Sequence, residues 1–196
     1  KALQGAVNDK VLGVNETWAP SHHSRDIFLL YITSEVPHGD TEVREKLRRW
    51  CLHRADEHMI PKRRMQVPGF NVALMCNFRW KPWHILFKLR ARYCLEPCGD
   101  TLGRKSTIDN YAAGCIPVFI GAGMSVPYAE HWRGWHGFII LNRTPLLEGT
   151  VDVVEALQKV DDRKREKIEQ NMAKYGQRFM TFEEDVDGLE DAFDVQ

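Results

Sequence analysis

A chain that reads "YCLEPCGDTLGRKSTIDNYAAGCIPVFIGAG" from Tyr93 to Gly123 has little freedom in how it folds. A short apolar run breaks into a polar, Gly-containing loop with two adjacent cations, Arg104 and Lys105. Ile108, Tyr111, Ala112 and Cys115 then recur at i, i+3, i+4 and i+7, which is one face of an α-helix. Gly114 supplies a helix stop, and Pro117 cannot continue the helix. A second apolar run, Ile116 to Ile120, follows at once. Strand, loop, helix and strand in this order call for parallel strands joined by a crossover helix.

The alternation extends along the chain. Ile27 to Thr33, "IFLLYIT", is continuously apolar and reads as a strand buried on both faces. "SEVPHGD" follows as a loop, and a helix pattern begins after Asp40. Val43, Leu47, Trp50 and Cys51 share its apolar face, with Arg44, Glu45, Arg48 and Arg49 outside it. Residues 61–70 read as a loop, and 71–77 as a strand or the start of a helix. Pro82 suits the first turn of a helix through Ile85, Leu86 and Leu89. Phe138 to Leu141 predicts a further strand. Val153, Val154 and Leu157 predict a short helix, and Ile168, Met172, Tyr175 and Phe179 a long one. The expected fold is α/β, a Rossmann-like parallel sheet with helices on both faces. Residues 1–24 read as a linker or residual inter-domain segment, 25–182 as the domain and 183–196 as an acidic tail.

Composition excludes several functions. The chain has 196 residues, 43% of them apolar, which is enough for one domain with a real core. Lys+Arg and Asp+Glu balance at 27 each, so there is no nucleic-acid footprint and no polybasic membrane surface. No window has the ~18 uninterrupted apolar residues of a membrane span. A chain that starts at Lys1 rather than Met is expected to be an excised domain or fragment, with any anchor out of view. The five cysteines, Cys51, Cys76, Cys94, Cys98 and Cys115, include no CxxC pair and argue against zinc. Their usage suits buried thiols, and if disulfides form, the odd count leaves one thiol free. Two sequons, at Asn15 and Asn142, allow a secretory location, with Pro145 weakening the second.

In an open α/β sheet, ligands bind beyond the carboxyl ends of the strands. The loop from Glu96 to Lys105 leaves such an end and enters a helix, whose first N–H groups favour phosphate. Arg104 and Lys105 oppose the helix dipole there unless an anion is bound. Ser106 can donate to the same anion, and Asp109, one turn on, suits a sugar diol. The same spacing also fits a plain surface pair between Lys105 and Asp109.

The stretch resembles the exostosin family of glycosyltransferases. The matching residues are Tyr93-Cys94-Leu95-Glu96-Pro97, Gly99-Asp100-Thr101, Arg104-Lys105-Ser106, Ile108-Asp109-Asn110 and Ala113-Gly114-Cys115-Ile116-Pro117-Val118. Weaker similarity runs from about Asp26 to Phe182 and includes an Arg at the Arg44 position. Where the family has Phe-Ala-Gly, this chain has Ile32-Thr33-Ser34, which weakens any phosphate contact from the first loop. The resemblance implies a GT-B arrangement, with this chain as its carboxyl-terminal, donor-binding half and the amino-terminal acceptor domain missing. It implies a nucleotide-sugar donor, a UDP-sugar above all, and a glycan or glycoprotein acceptor, with transfer by inversion. Gly99, Asp100, Thr101, Arg104, Lys105, Ser106, Asp109 and Arg44 would form the donor site. Arg104, Lys105 and Ser106 would hold the diphosphate, and Asp109 the ribose. The Golgi membrane, lumenal side, and complexes with other glycosyltransferases follow from the family.

No catalytic residue is assigned, because a general base is expected from the missing half. His22, His23 and His38 are chemically fit for that role but lie on loops, where His is usually just solvated. Nothing in the sequence reads as a clear Asp-x-Asp metal motif, so no cofactor is expected to be required, although a divalent metal is compatible with the chemistry. Asp161-Asp162 reads as a helix cap and Arg163-Lys164-Arg165 as a solvated face. Trp80, Trp83, Trp132 and Trp135 suit either sugar stacking or packing, and "AEHWRGWHGF" suits either a closing loop or packing. Two other functions fit less well or equally. A dinucleotide-dependent oxidoreductase lacks its GxGxxG turn after the first strand. A catalytically inactive exostosin-like domain, acting as a binding or partner module, would keep the same loop.

Overall fold

The computed structural model describes residues 25–32, 39–57, 65–67, 70–75, 84–99, 105–121 and 137–175. Six strands are β1 Ile27–Ile32, β2 Met65–Val67, β3 Phe70–Met75, β4 Ala91–Glu96, β5 Ile116–Ile120 and β6 Ile139–Leu141. Six helices are α1 Thr41–Glu57, α2 His84–Arg90, α3 Lys105–Ala112, α4 Arg143–Glu148, α5 Val153–Gln158 and α6 Asp162–Tyr175. The strands form one sheet in the order β2-β3-β1-β4-β5-β6. All neighbours are parallel except β2, which pairs antiparallel with β3 at the edge. The expected α/β fold with a Rossmann-like parallel sheet is therefore present.

Ile27 to Tyr31 are all buried, as a continuous apolar run at the centre of a covered sheet should be. The larger core cluster joins Leu29, Tyr31, Tyr93, Leu95, Val118 and Ile120 to helix residues that include Val43, Leu47, Leu157, Ile168 and Met172. A smaller cluster holds Leu30, Ala91, Cys94 and Cys115, with Phe87 of α2 packed against it. At the amino-terminal end of the strands, buried Arg25 donates to the carbonyls of Lys88, Ala91 and Ala113 at 3.1, 2.7 and 2.8 Å. Burial lowers its pKa to about 10.

Several expectations change. Part of the stretch read as a loop, residues 61–70, is strand β2 and the start of β3, so 71–77 begins inside a strand. Helix α4 went unread; Asn142 caps it, with its side chain accepting from the Thr144 N–H at 3.2 Å, and Gly149 closes it at φ 75°. Arg44 is buried, not outside the apolar face of α1. In α3 the fully buried residues are Thr107, Asn110 and Tyr111, while Ile108 is half-buried and Cys115 lies past the helix end. Gly114 stops α3 as expected, at φ 64°, and the Cys115 N–H reaches back to the Asn110 carbonyl at 2.9 Å. Cys94 and Cys115 form a disulfide, and Cys51 is also disulfide-bonded, so the buried-thiol reading fails for all three; Cys98 is free. Asp161 does cap a helix, accepting from the Arg163 N–H at 3.3 Å. Arg163 and Lys164 are exposed, whereas Arg165 pairs with Asp162 and Glu169.

Candidate functional site

The strand order reverses between β1 and β4. From β1 the chain passes to β3 on one side, then returns across β1 to β4, β5 and β6 on the other. Such a switch point leaves a crevice beyond the carboxyl ends of the two central strands. The chain that follows β1 and the loop that follows β4 meet there. Gly39 has φ 76°, and a Cβ on it would lie 2.1 Å from the carbonyl oxygen of Gly99. Only glycine permits that backbone contact, both for its positive φ and for the missing side chain.

Side chains hold this junction. Arg44, on the first turn of α1, donates from Nε to the Cys98 carbonyl at 2.8 Å. Asp40 caps α1, accepting from the Val43 N–H at 3.2 Å. Arg143, just after β6, reaches Asp40 at 2.8 Å and Glu42 at 2.6 Å. The Arg143 hydrogen bond is the main reason that the Asp40 carboxyl is held below the usual carboxylate range; partial burial opposes it. Segments that follow β1, β4 and β6 are thus tied at one end of the sheet.

Helix α3 enters from the β4 loop. Lys105, its first residue, is mostly exposed and lies 2.8 Å from Asp109, so the surface pair is formed. The hydroxyl of Ser106 points inward instead. It donates to Glu96 Oε1 at 2.5 Å and accepts from Lys88 Nζ at 2.9 Å. Lys88 Nζ also donates to the Ser106 carbonyl at 2.8 Å, and Asn110 Nδ2 to the same Glu96 oxygen at 2.8 Å. Lys88 and Glu96 are 5% and 4% exposed, so the charges that fix the start of α3 are interior ones. Beside them, burial and then the Lys88 charge hold the His84 imidazole below its usual range, while Asp109 opposes the shift.

Of the residues read as the donor site, the structure places Gly99 and Arg44 at the loop junction and Lys105, Ser106 and Asp109 on α3. Asp100, Thr101 and Arg104 lie outside the described residues, as do His22, His23, His38, Trp80, Trp83, Trp132, Trp135, Asn15, Pro82 and Phe179. The terminal segments 1–24 and 183–196 lie outside them as well. Lys88, Glu96 and Asn110 carried no periodic signal of a site. The one available hint was Asn110, four residues after Ser106 and so above it on the same helix face. Among the described residues no group of three His, Cys, Asp or Glu side chains could hold a metal.

Residues 14–146, more than half of the chain, match the family model described as the Exostosin GT47 domain. "Probable xyloglucan galactosyltransferase GT15" of Arabidopsis thaliana is 48% identical over 44 residues, 22% of this chain and 8% of that protein. "Probable xyloglucan galactosyltransferase GT19" of the same plant is 58% identical over 31 residues, 16% of this chain and 7% of that protein. The chain therefore spans less than a tenth of the length of the curated relatives it matches. Among solved structures, the calicheamicin glycosyltransferase CalG4 aligns over 83% of this chain and 42% of its own, at 19% identity and a TM-score of 0.42.

Proposed function

This chain belongs to the exostosin GT47 family, and on that premise we propose that it is the nucleotide-sugar-binding part of an inverting glycosyltransferase. The observation that carries the proposal is the backbone contact of Gly39 with Gly99 at the switch point, where α3 begins close by. The diphosphate of a UDP-sugar lies against the loop Gly99, Asp100, Thr101 and the first turn of α3. In this reading the N–H groups of Lys105, Ser106 and Thr107, in the first described turn of α3, face that anion. Arg104 and Lys105 neutralise it. Asp109 gives up Lys105 and accepts from the ribose hydroxyls. Arg44 keeps the loop in place through the Cys98 carbonyl.

In this reading an acceptor hydroxyl attacks the anomeric carbon in line, and the bond from that carbon to the diphosphate oxygen breaks. UDP carries away the electron pair, and its charge is met by Arg104, Lys105 and the α3 dipole. The hydroxyl proton passes to a base from the acceptor-binding part of the protein. No divalent metal is required, so chelation leaves turnover unchanged. The Cys94–Cys115 disulfide supports an oxidising compartment, in keeping with the Golgi lumen. The names of the relatives make UDP-galactose the first donor to assay. A glycan or glycoprotein is the acceptor, and other glycosyltransferases are the partners we propose.

Calorimetry on the folded chain with UDP and with GDP tests the site. Heat of binding with UDP is expected, together with slow hydrolysis of the UDP-sugar. Absence of heat with both nucleotides overturns the assignment.

A further inference from the structure

We propose that Lys88 and Glu96 are positioning residues for the phosphate end of this site, acting through Ser106. The inference rests on the donor-site reading above and goes beyond it, since neither residue touches the donor. Three elements converge on one carboxylate oxygen. Glu96 Oε1, at the end of β4, accepts from Ser106 at 2.5 Å and from Asn110 at 2.8 Å, and lies 4.0 Å from Lys88 Nζ. Lys88 comes from α2 and holds both the carbonyl and the hydroxyl of Ser106. Helix α3 is thereby pinned on two successive turns, at Ser106 and at Asn110.

The energetics point to geometry rather than bulk stability. A buried ion pair loses its hydration, and well-packed apolar residues of similar size are often at least as stabilising. Cations beside the start of α3 oppose its dipole and work against the first turn. An interior clamp on that turn holds it in place when no anion is bound. Ser106 then serves in two ways, its hydroxyl fixing the helix and its N–H facing phosphate.

The test compares wild type, Glu96→Gln, and the double variant Lys88→Met with Glu96→Gln, using UDP, inorganic pyrophosphate and uridine as probes. Glu96→Gln leaves Lys88 buried without its counter-charge, so both the melting temperature and UDP affinity are expected to fall. The double variant removes both charges and is expected to recover the melting temperature. It still lacks the clamp, so UDP and pyrophosphate should bind about tenfold more weakly than to wild type, while uridine binds equally. If affinity for UDP returns together with stability, the pair is only structural and the proposal is overturned. If wild type binds UDP and all variants bind it as well, the proposal is likewise overturned and the donor site stands. If wild type binds neither UDP nor pyrophosphate, the donor-site reading falls and takes the positioning role with it.

Discussion

Asp109 lies one turn into α3 with a carboxylate oxygen 2.8 Å from Lys105 Nζ; Lys105 is largely exposed and Asp109 half-buried. An exposed i, i+4 pair on a helix is worth only a few tenths of a kcal/mol. Asp109→Asn should therefore change the melting temperature little. The proposed ribose contact is a larger quantity, because hydrogen bonds to a charged acceptor are worth roughly 1.5–3 kcal/mol against about 1 for a neutral one. UDP should bind the variant several-fold more weakly, and a 2′,3′-dideoxy analogue should bind both proteins alike. Unchanged UDP affinity in titration would sink the ribose role. Arg104→Ala separates phosphate from nucleoside in the same way. Loss of a charge-assisted phosphate contact should weaken UDP about ten- to a hundredfold while leaving uridine alone. Equal losses for the two ligands would make Arg104 a residue of the fold.

At the scale of elements, the start of α1 carries a pH response. Asp40 both caps the helix and receives Arg143, and its carboxyl is held below its ordinary value, first by that hydrogen bond. A depressed folded-state pKa stabilises the protein above the unfolded value of about 3.9, and the contribution is lost as pH falls through the folded value. Asn is as good a cap as Asp but carries no charge for Arg143. Asp40→Asn should thus be less stable than wild type in urea at about pH 7, and the gap should narrow as pH falls below about 3.9. A gap that stays constant across that range refutes the ion-pair origin. These contacts also explain what the amino-acid pattern could and could not reveal. Apolar runs and the i, i+4, i+8 spacing of Val43, Leu47 and Cys51 reflect burial against a sheet, and they locate β1, β4, β5 and α1 well. A period of 3.6 places Arg44 outward because it describes one helix alone, whereas the burial of Arg44 depends on the loop at Cys98, which follows another strand. Asn110 escapes for a related reason: it is buried against Glu96, and a buried polar side chain leaves no apolar stripe. The short edge strand β2 and the six-residue α4 have too little periodicity to stand out. The loop proposed to bind the donor stands out in the sequence because its Gly, cation and carboxylate groups follow one another in the chain. The Lys88–Glu96 support does not, because α2, β4 and α3 bring it together only in space.

Across the whole molecule, the Cys94–Cys115 bond does more than join neighbouring strands. It links β4 to the residue just before β5 at a separation of 21, and the enclosed segment holds the loop after β4 together with all of α3. In the unfolded chain a closed loop of that size removes conformational freedom worth about 3 kcal/mol by the chain-entropy account. For a chain of this length that corresponds to a fall in melting temperature of roughly 6–12 °C when the bond is absent. Chemical reduction is a poor test because Cys51 is also disulfide-bonded. The double variant Cys94→Ala with Cys115→Ala isolates the bond, and Cys98→Ser serves as the control because Cys98 is a free thiol. The double variant should melt well below wild type, while the control should melt close to it. The site should respond too: with β4 no longer bonded to the start of β5, the α3 segment loses a covalent restraint at both its ends. UDP affinity should then fall in the double variant even at temperatures where it is fully folded. Equal melting temperatures for double variant and wild type would mean that hydrogen bonds and packing alone set the stability of this segment.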